Sequence, residues 1–188
     1  MVRHELDQGV SAERLGDEVL MPAIQEVGRR YDDKVYFLPQ LIRGAEAMEK
    51  AMAILTPYLA KAEGAGLKPK GTVVIATVKG DIHDIGKNIV ALLLRNYGFS
   101  VIDLGKDVPA DRIIQSAIAH NADIIALSAL MTTTMTEMPK VAAMASEAGL
   151  NTKVMVGGAV LDKEYAASFN AFYSRDAYAA VKLAESLV

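Results

Sequence analysis

Two aspartates and a histidine crowd into the stretch Gly80-Asp81-Ile82-His83-Asp84-Ile85-Gly86, directly after the apolar run TVVIATV at 72–78. Asp81 precedes His83 by two residues, a spacing at which a turn can bring its carboxylate to Nδ1–H, fix the tautomer and leave Nε2 as the more basic, free donor. Such an imidazole suits a metal ligand or a general base. A zinc or non-haem iron site needs further protein donors, yet His4 lies in a helical stretch far upstream and His120 at the far end of another helix. A tetrapyrrole-type macrocycle brings its own equatorial nitrogens, so one axial histidine backed by a carboxylate is enough protein chemistry. The pattern therefore favours a macrocycle over a bare ion. Small residues give a second clue: Gly86 after the histidine, Ser128-Ala129 and Gly157-Gly158 let another group approach closely and are consistent with a slot running into the edge of a sheet.

The rest of the composition narrows the chemistry further. A chain of 188 residues that is 52% hydrophobic can bury a sizeable core. Net charge is −3 and Lys and Arg are scattered, so no basic face offers itself to nucleic acid or to an anionic membrane. The longest apolar run, IVALLL at 89–94, is too short to cross a bilayer, and the start MVRHELDQG lacks a signal-peptide core. A cytoplasmic protein is expected. With no cysteine, disulfides, thiolate nucleophiles, iron–sulfur clusters and cysteine-zinc sites are excluded.

Two unlike halves must position the turn. From Ser11 to about Ala60 apolar residues recur three and four apart, the period of amphipathic helices, with Pro22 and Pro39 at the first turns of new helical stretches. KAEGAGLKPKG (61–71) has no periodicity and reads as a linker. After Gly71, short apolar runs at 72–78, 100–105, 122–130, 153–158 and 170–174 alternate with helical stretches, which predicts strands buried on both faces and joined by helices. The expected architecture is α/β: a helical bundle cap domain over 1–62, a linker over 63–70, and a flavodoxin-like doubly wound five-stranded parallel sheet over 71–188. Ligands of such a sheet sit outside the carboxyl ends of the strands, at the switch between the first and third. The Gly80–Gly86 turn, the stretch 128–134 and Gly157-Gly158 all open on that edge.

In order, Asp81-Ile82-His83-Asp84-Ile85-Gly86, Ser128-Ala129-Leu130 and Gly157-Gly158 resemble the Asp-x-His-x-x-Gly, Ser-x-Leu and Gly-Gly motifs of cobalamin-binding domains in methionine synthase and in the corrinoid proteins of methyltransferase systems. VYFLPQLIRGAEAMEKAM (35–52) is similar to the cap helices of the same family, so the resemblance covers nearly the whole chain. It implies a cobalamin cofactor (methylcobalamin and cob(I)alamin), with His83 as the lower axial ligand of cobalt in place of the cofactor's own dimethylbenzimidazole. It further implies that Asp81 and Thr134 continue a hydrogen-bonded relay from the imidazole, where methionine synthase typically has serine at the position of Thr134. By motif position Ser128 and Thr132 would contact the displaced nucleotide tail, Gly157 and Gly158 would line its slot, Ala177 would sit beside its nucleotide end, and Leu130 and Gly86 would belong to the cofactor site. Gly80, Ile82 and Asp84 would approach the corrin edge, and Phe37 would shield the upper face. Ala47 takes a cap position that is larger and apolar in related proteins.

What the resemblance implies about function is a methyl carrier, a domain or subunit that works with methyl-donor and methyl-acceptor methyltransferases and a reductive reactivation partner. An apolar lid excludes water between transfers and must swing aside for each partner. The rival expectation is a cobalamin-responsive sensor or regulatory module, built from the same two parts but usually joined to an output segment, which is not visible in this sequence. A phosphoacceptor receiver fails because the third strand ends in Ser128-Ala129-Leu130 without an aspartate. A mutase module shares the histidine motif but lacks this cap. The chain begins within what looks like the first cap helix, the expectation for a fragment of a larger methionine synthase or a trimmed stand-alone carrier.

Overall fold

The computed structural model of the chain describes residues 2–59 and 69–188, which fall in two units, Met1–Lys68 and Pro69–Val188. The expected linker over 63–70 lies outside the described residues except for Pro69 and Lys70.

In the first unit Ser11 starts the helical run, its Oγ accepting the Arg14 N–H at 3.2 Å. After α1 (Val2–Asp7), α2 (Ala12–Arg14) leads through a π-helical segment (Leu15–Leu20) into α3 (Met21–Asp32), and α4 (Leu38–Leu59) follows. Pro22 falls in the first turn of α3, as the sequence pattern predicts, but α3 continues the π-helical segment without a break, Leu20 and Met21 both keeping helical backbone. Proline has no N–H to offer the preceding turn, and the wider winding just before it, with the Met21 N–H on the Gly16 carbonyl, absorbs the missing bond. Ala12, Leu15 and Leu55 form a small core with Val2, Leu6, Leu20 and Met52 against it. Leu41, Ala45 and Met48 are buried along α4.

In the second unit β1 (Thr72–Thr77), β2 (Ser100–Asp103), β3 (Ile124–Ser128), β4 (Lys153–Gly157) and β5 (Phe172–Tyr173) form one parallel sheet in the order β2-β1-β3-β4-β5. The intervening helices are α5 (Ile85–Asn96), α6 (Ala110–Ala119), the single turn α7 (Thr132–Met135), α8 (Glu137–Glu147), α9 (Lys163–Ala167) and α10 (Ala177–Leu187). On one face Val74, Ala76, Ile125, Leu127, Val154 and Val156 pack with Ile113 and Ala117 of α6 and Met138 and Val141 of α8. The alternate residues Val73, Ile75 and Ile124 are equally buried and point the other way, towards α5 and α10, which pack on each other. Two covered faces explain why the strands read as continuous apolar runs rather than as alternation. β5 is shorter than its apolar run because Asn170, with φ +57, still belongs to the turn out of α9.

The strand order reverses between β1 and β3, so the chains leaving them turn to opposite faces of the sheet and open a crevice between their loops. Register puts Thr77 opposite Ser128, and Ser128 opposite Gly157, which aligns the three predicted loops on that edge. A partly buried ion pair fixes the helix that follows the first loop: Lys87 Nζ lies 2.6 and 2.7 Å from the Asp103 carboxylate oxygens at the end of β2, and 2.6 Å from Asn88 Oδ1. Among the described residues no helix is long and apolar enough to cross a membrane.

Candidate functional site

The chain leaves β1 through a tight turn closed by the Asp81 N–H on the Val78 carbonyl at 3.1 Å, and Gly80 supplies its left-handed residue with φ +82. Asp81 follows, with no exposed surface. Each of its carboxylate oxygens accepts two hydrogen bonds. Oδ1 takes the His83 N–H at 3.0 Å and its Nδ1 at 2.8 Å; Oδ2 takes the Leu130 N–H at 2.8 Å and the Thr134 hydroxyl at 2.7 Å. Because an ionised carboxylate can only accept, Nδ1 carries a ring proton, and in the neutral imidazole Nε2 is then the nitrogen with the free lone pair. Burial pushes the Asp81 carboxyl upward, but the His83 and Leu130 amides, the Thr134 hydroxyl and the His83 ring outweigh it and hold the group well below the ordinary carboxylate range.

That shift has a sign. A carboxyl depressed in the folded state contributes stability in full above its ordinary value, 3.8, and loses it as pH falls towards the folded value. Asp81→Asn is therefore expected to flatten the acid limb: urea midpoints of the wild type should fall more steeply below about pH 4 than those of the variant. At neutral pH the variant should cost about 1–3 kcal/mol, since an amide NH2 cannot accept from donors aimed at a carboxylate.

His83 presents the other half of the site. Its side chain is 47% exposed, and among the described residues Nε2 has no hydrogen-bond partner. Thr77, buried at the end of β1, holds the His83 carbonyl through its hydroxyl at 3.4 Å. Ile82, Ile85 and Leu130 are 64, 78 and 42% exposed, an apolar rim on the loops that hold the histidine and its carboxylate. Asp84 sits at the N-cap of α5 without a side-chain cap bond. Gly86 is exposed on the first turn of that helix, where a Cβ would meet nothing within 4 Å. No internal packing demands glycine there.

Among the described residues no group of three or more His, Asp or Glu gathers that could hold a bare ion. One oriented imidazole, an apolar rim and a helix start bare of side chain fit a flat macrocycle that carries its own equatorial donors. His83, Asp81, Thr134 and Leu130 are brought together by direct bonds, and Gly80 joins them, since a Cβ there would lie 3.5 Å from Thr134 Cγ2. The methyl group that distinguishes threonine from serine at this position thus rests over the turn glycine. Leu130 contributes its backbone to the carboxylate while its side chain faces outward. Ser128 ends β3 with its carbonyl on the Val78 N–H at 3.1 Å, and Thr132 is exposed at the start of α7.

Gly157 and Gly158 have an internal reason to be glycine. A Cβ on Gly158 would lie 1.8 Å from the Ala129 carbonyl oxygen, and one on Gly157 3.2 Å from Ser174 Oγ. In the Cβ direction, then, these positions adjoin the chain's own atoms. Ala177 opens α10, which Asp176 caps by accepting the Ala179 N–H at 2.8 Å. Phe37 stands in the first unit, 65% exposed before α4, and Ala47 lines an apolar cleft there with Leu20, Ala23, Ile24, Val27, Gly44 and Met48.

Sequence spacing pointed to the Asp81–His83 contact but not to Thr77, to Asp107, whose carboxylate accepts the Gly80 N–H at 2.7 Å, or to the bond from the Leu130 amide to Asp81. The Leu130 amide and the Asp107 carboxylate come from loops whose approach is set only by strand register. Ile85 was not singled out, although an isoleucine beside a glycine at a helix start, off the buried stripe of α5, was a signal for it.

Fold and site together define a corrinoid-binding protein, with an exposed, oriented imidazole at the switch point of a flavodoxin-like sheet. A family model described as the B12 binding domain matches residues 71–182, and a second model with that description matches residues 1–56. Trimethylamine corrinoid protein 1 of Methanosarcina acetivorans is 40% identical over 163 residues, which cover 86% of this chain and 75% of that protein. Among solved structures, the methanol:cobalamin methyltransferase complex MtaBC from Methanosarcina barkeri matches with a TM-score of 0.80 at 37% identity, covering 93% of this chain and 66% of the matched one, just under two thirds of its length. A cobalamin-binding protein from Desulfitobacterium hafniense DCB-2 matches with a TM-score of 0.81 at 31% identity, over 100% of this chain and 89% of that one. The chain belongs to the B12-binding family of corrinoid proteins, and its cofactor is cobalamin.

Proposed function

We propose that this chain is a methyl carrier, working between a methyl-donating and a methyl-accepting methyltransferase subunit in a system of the kind that acts on methylamines or methanol. A reductive reactivation partner belongs to the same proposal. The names of its relatives support this branch over methionine synthase. The observation that carries the reading is the exposed imidazole whose Nδ1–H is fixed 2.8 Å from a fully buried carboxylate.

When bound, the corrinoid supplies a cobalt centre able to take up a methyl group and give it up again. His83 would hold that cobalt through Nε2. Gly80, Ile82, Asp84 and Gly86 would border the ring, Ser128, Leu130, Thr132, Gly157, Gly158 and Ala177 the nucleotide tail, and Phe37 the upper face. Asp81 raises the donor strength of the imidazole by accepting a hydrogen bond from its Nδ1–H. Thr134 closes the relay in an adjustable way. Its hydroxyl lies 2.7 Å from Asp81 Oδ2 and 3.0 Å from the Met131 carbonyl, and a hydroxyl has one proton to give. It donates to Asp81 while that group is charged; with a proton on Oδ2, Asp81 would donate instead, and the hydroxyl would accept from it and turn its own proton to the Met131 carbonyl.

His83→Ala tests the assignment. Reconstituted with hydroxocobalamin, the variant is expected to lose the spectrum of imidazole-ligated cobalt, to bind the corrinoid at least about 10-fold more weakly, and to slow methyl transfer. An unchanged spectrum together with unchanged transfer rates would overturn the reading.

A further inference from the structure

The turn that carries Asp81 and His83 is gripped on its backbone side by a residue from another strand's loop. After β2 the chain runs Gly105-Lys106-Asp107-Val108, and this loop is stitched to the end of β1. The Thr77 N–H donates to the Gly105 carbonyl at 3.0 Å, and the Val108 N–H donates to the Thr77 carbonyl at 3.1 Å. Between these bonds Asp107 reaches the turn itself. Its carboxylate accepts the Gly80 N–H at 2.7 Å, while its own N–H donates to the Asp81 carbonyl at 3.0 Å.

Making both bonds puts Asp107 in the left-handed region, with φ +53, where aspartate and asparagine are tolerated better than most side chains. Such a backbone persists where its surroundings over-determine it. The clasp pins the peptide groups on either side of the Gly80–Asp81 pair. The relay carboxylate is thus fixed twice: from its side chain by His83, Leu130 and Thr134, and from its backbone by Asp107. The same loop is held at its start by Asp103, which accepts the Gly105 N–H at 2.9 Å while paired with Lys87 behind the turn.

We infer that Asp107 is a positioning residue for His83: it sets the Asp81–His83 turn before the corrinoid arrives, so its loss weakens imidazole ligation without removing any member of the relay. The inference rests on His83 being the axial ligand, and the test separates the two. Protein labelled with heavy-nitrogen histidine is loaded with hydroxocobalamin and reduced to the cobalt(II) form. Electron paramagnetic resonance then distinguishes a labelled imidazole from the unlabelled benzimidazole on cobalt by the splitting of the signal.

Wild type and Asp107→Asn, which keeps an acceptor oxygen and tolerates the left-handed backbone, are expected to show the labelled pattern. Asp107→Gly keeps the backbone and removes the acceptor; Asp107→Ala removes the acceptor and disfavours the backbone. The ratio of imidazole-bound to unbound cobalt should fall about 5-fold in the glycine variant, the loss of one hydrogen bond, and further in the alanine variant. A merely structural role would lower urea midpoints and leave that ratio unchanged in the folded protein. Folded glycine and alanine variants with the wild-type ratio would overturn the inference while leaving His83 as ligand; if the alanine variant does not fold, the glycine variant decides. An unlabelled nitrogen on cobalt in the wild type overturns both.

Discussion

Gly158→Ala is expected to stop the second unit from folding, or to destabilise it by more than about 4 kcal/mol, the extreme end of single substitutions. The added Cβ would sit 1.8 Å from the Ala129 carbonyl oxygen and 2.9 Å from its carbon. These are backbone atoms just beyond β3, and they cannot retreat without disturbing the Ser128–Gly157 register. The backbone there also has φ +151, which an L side chain rarely adopts. Two other glycines of the same motif set give the contrast. Gly157→Ala presses on Ser174 Oγ at 3.2 Å and the Ser174 carbonyl at 3.3 Å, and should cost about 1 kcal/mol, as a small overpacking does. Gly86→Ala meets nothing and should stabilise the apo protein by about 0.5–1 kcal/mol through helix propensity, while weakening cobalamin binding. Thermal or urea unfolding of the three variants, with hydroxocobalamin titrations of those that fold, checks the series. Equal effects at 158 and 86 would contradict it.

The second large effect is expected at Asp103. Lys87 keeps only 1% of its side chain exposed, so removing its partner leaves an ammonium in the core with Asn88 alone. Breaking a buried pair from one side costs about 3–5 kcal/mol. Asp103→Ala should fall near 3 kcal/mol, because the aspartate is 23% exposed and water can take part of its place. Replacing both residues, Lys87→Met with Asp103→Ala, removes the stranded charge and should recover a good part of the loss. Urea unfolding of the single and double variants measures the coupling; additive losses would refute it. The clamp ties the first turn of α5 to β2, so the single variant should also weaken hydroxocobalamin binding, by loosening the helix that begins just after His83.

The sheet was legible because covering a strand on both faces requires continuous apolar sequence, and TVVIAT, IIALS and KVMVG provide it between turn residues. The Asp81–His83 contact was legible for a different reason: a two-residue spacing is local, and an aspartate readily closes a turn onto the second residue beyond it. The motif order placed Thr134 beside them by resemblance alone. Chain chemistry in that sense determined the architecture, the imidazole and its carboxylate. Only the tertiary structure decided what closes on that carboxylate from afar. The Leu130 amide and the Thr134 hydroxyl arrive because β3 pairs with β1, and Asp107 arrives because β2 pairs with its other side. It also decided that Gly158 yields to a neighbouring carbonyl, whereas Gly86 yields to open space. Such distinctions depend on distances between segments that sequence separation does not encode, since hydrogen bonds and steric contacts act over a few ångströms whatever the length of chain between them.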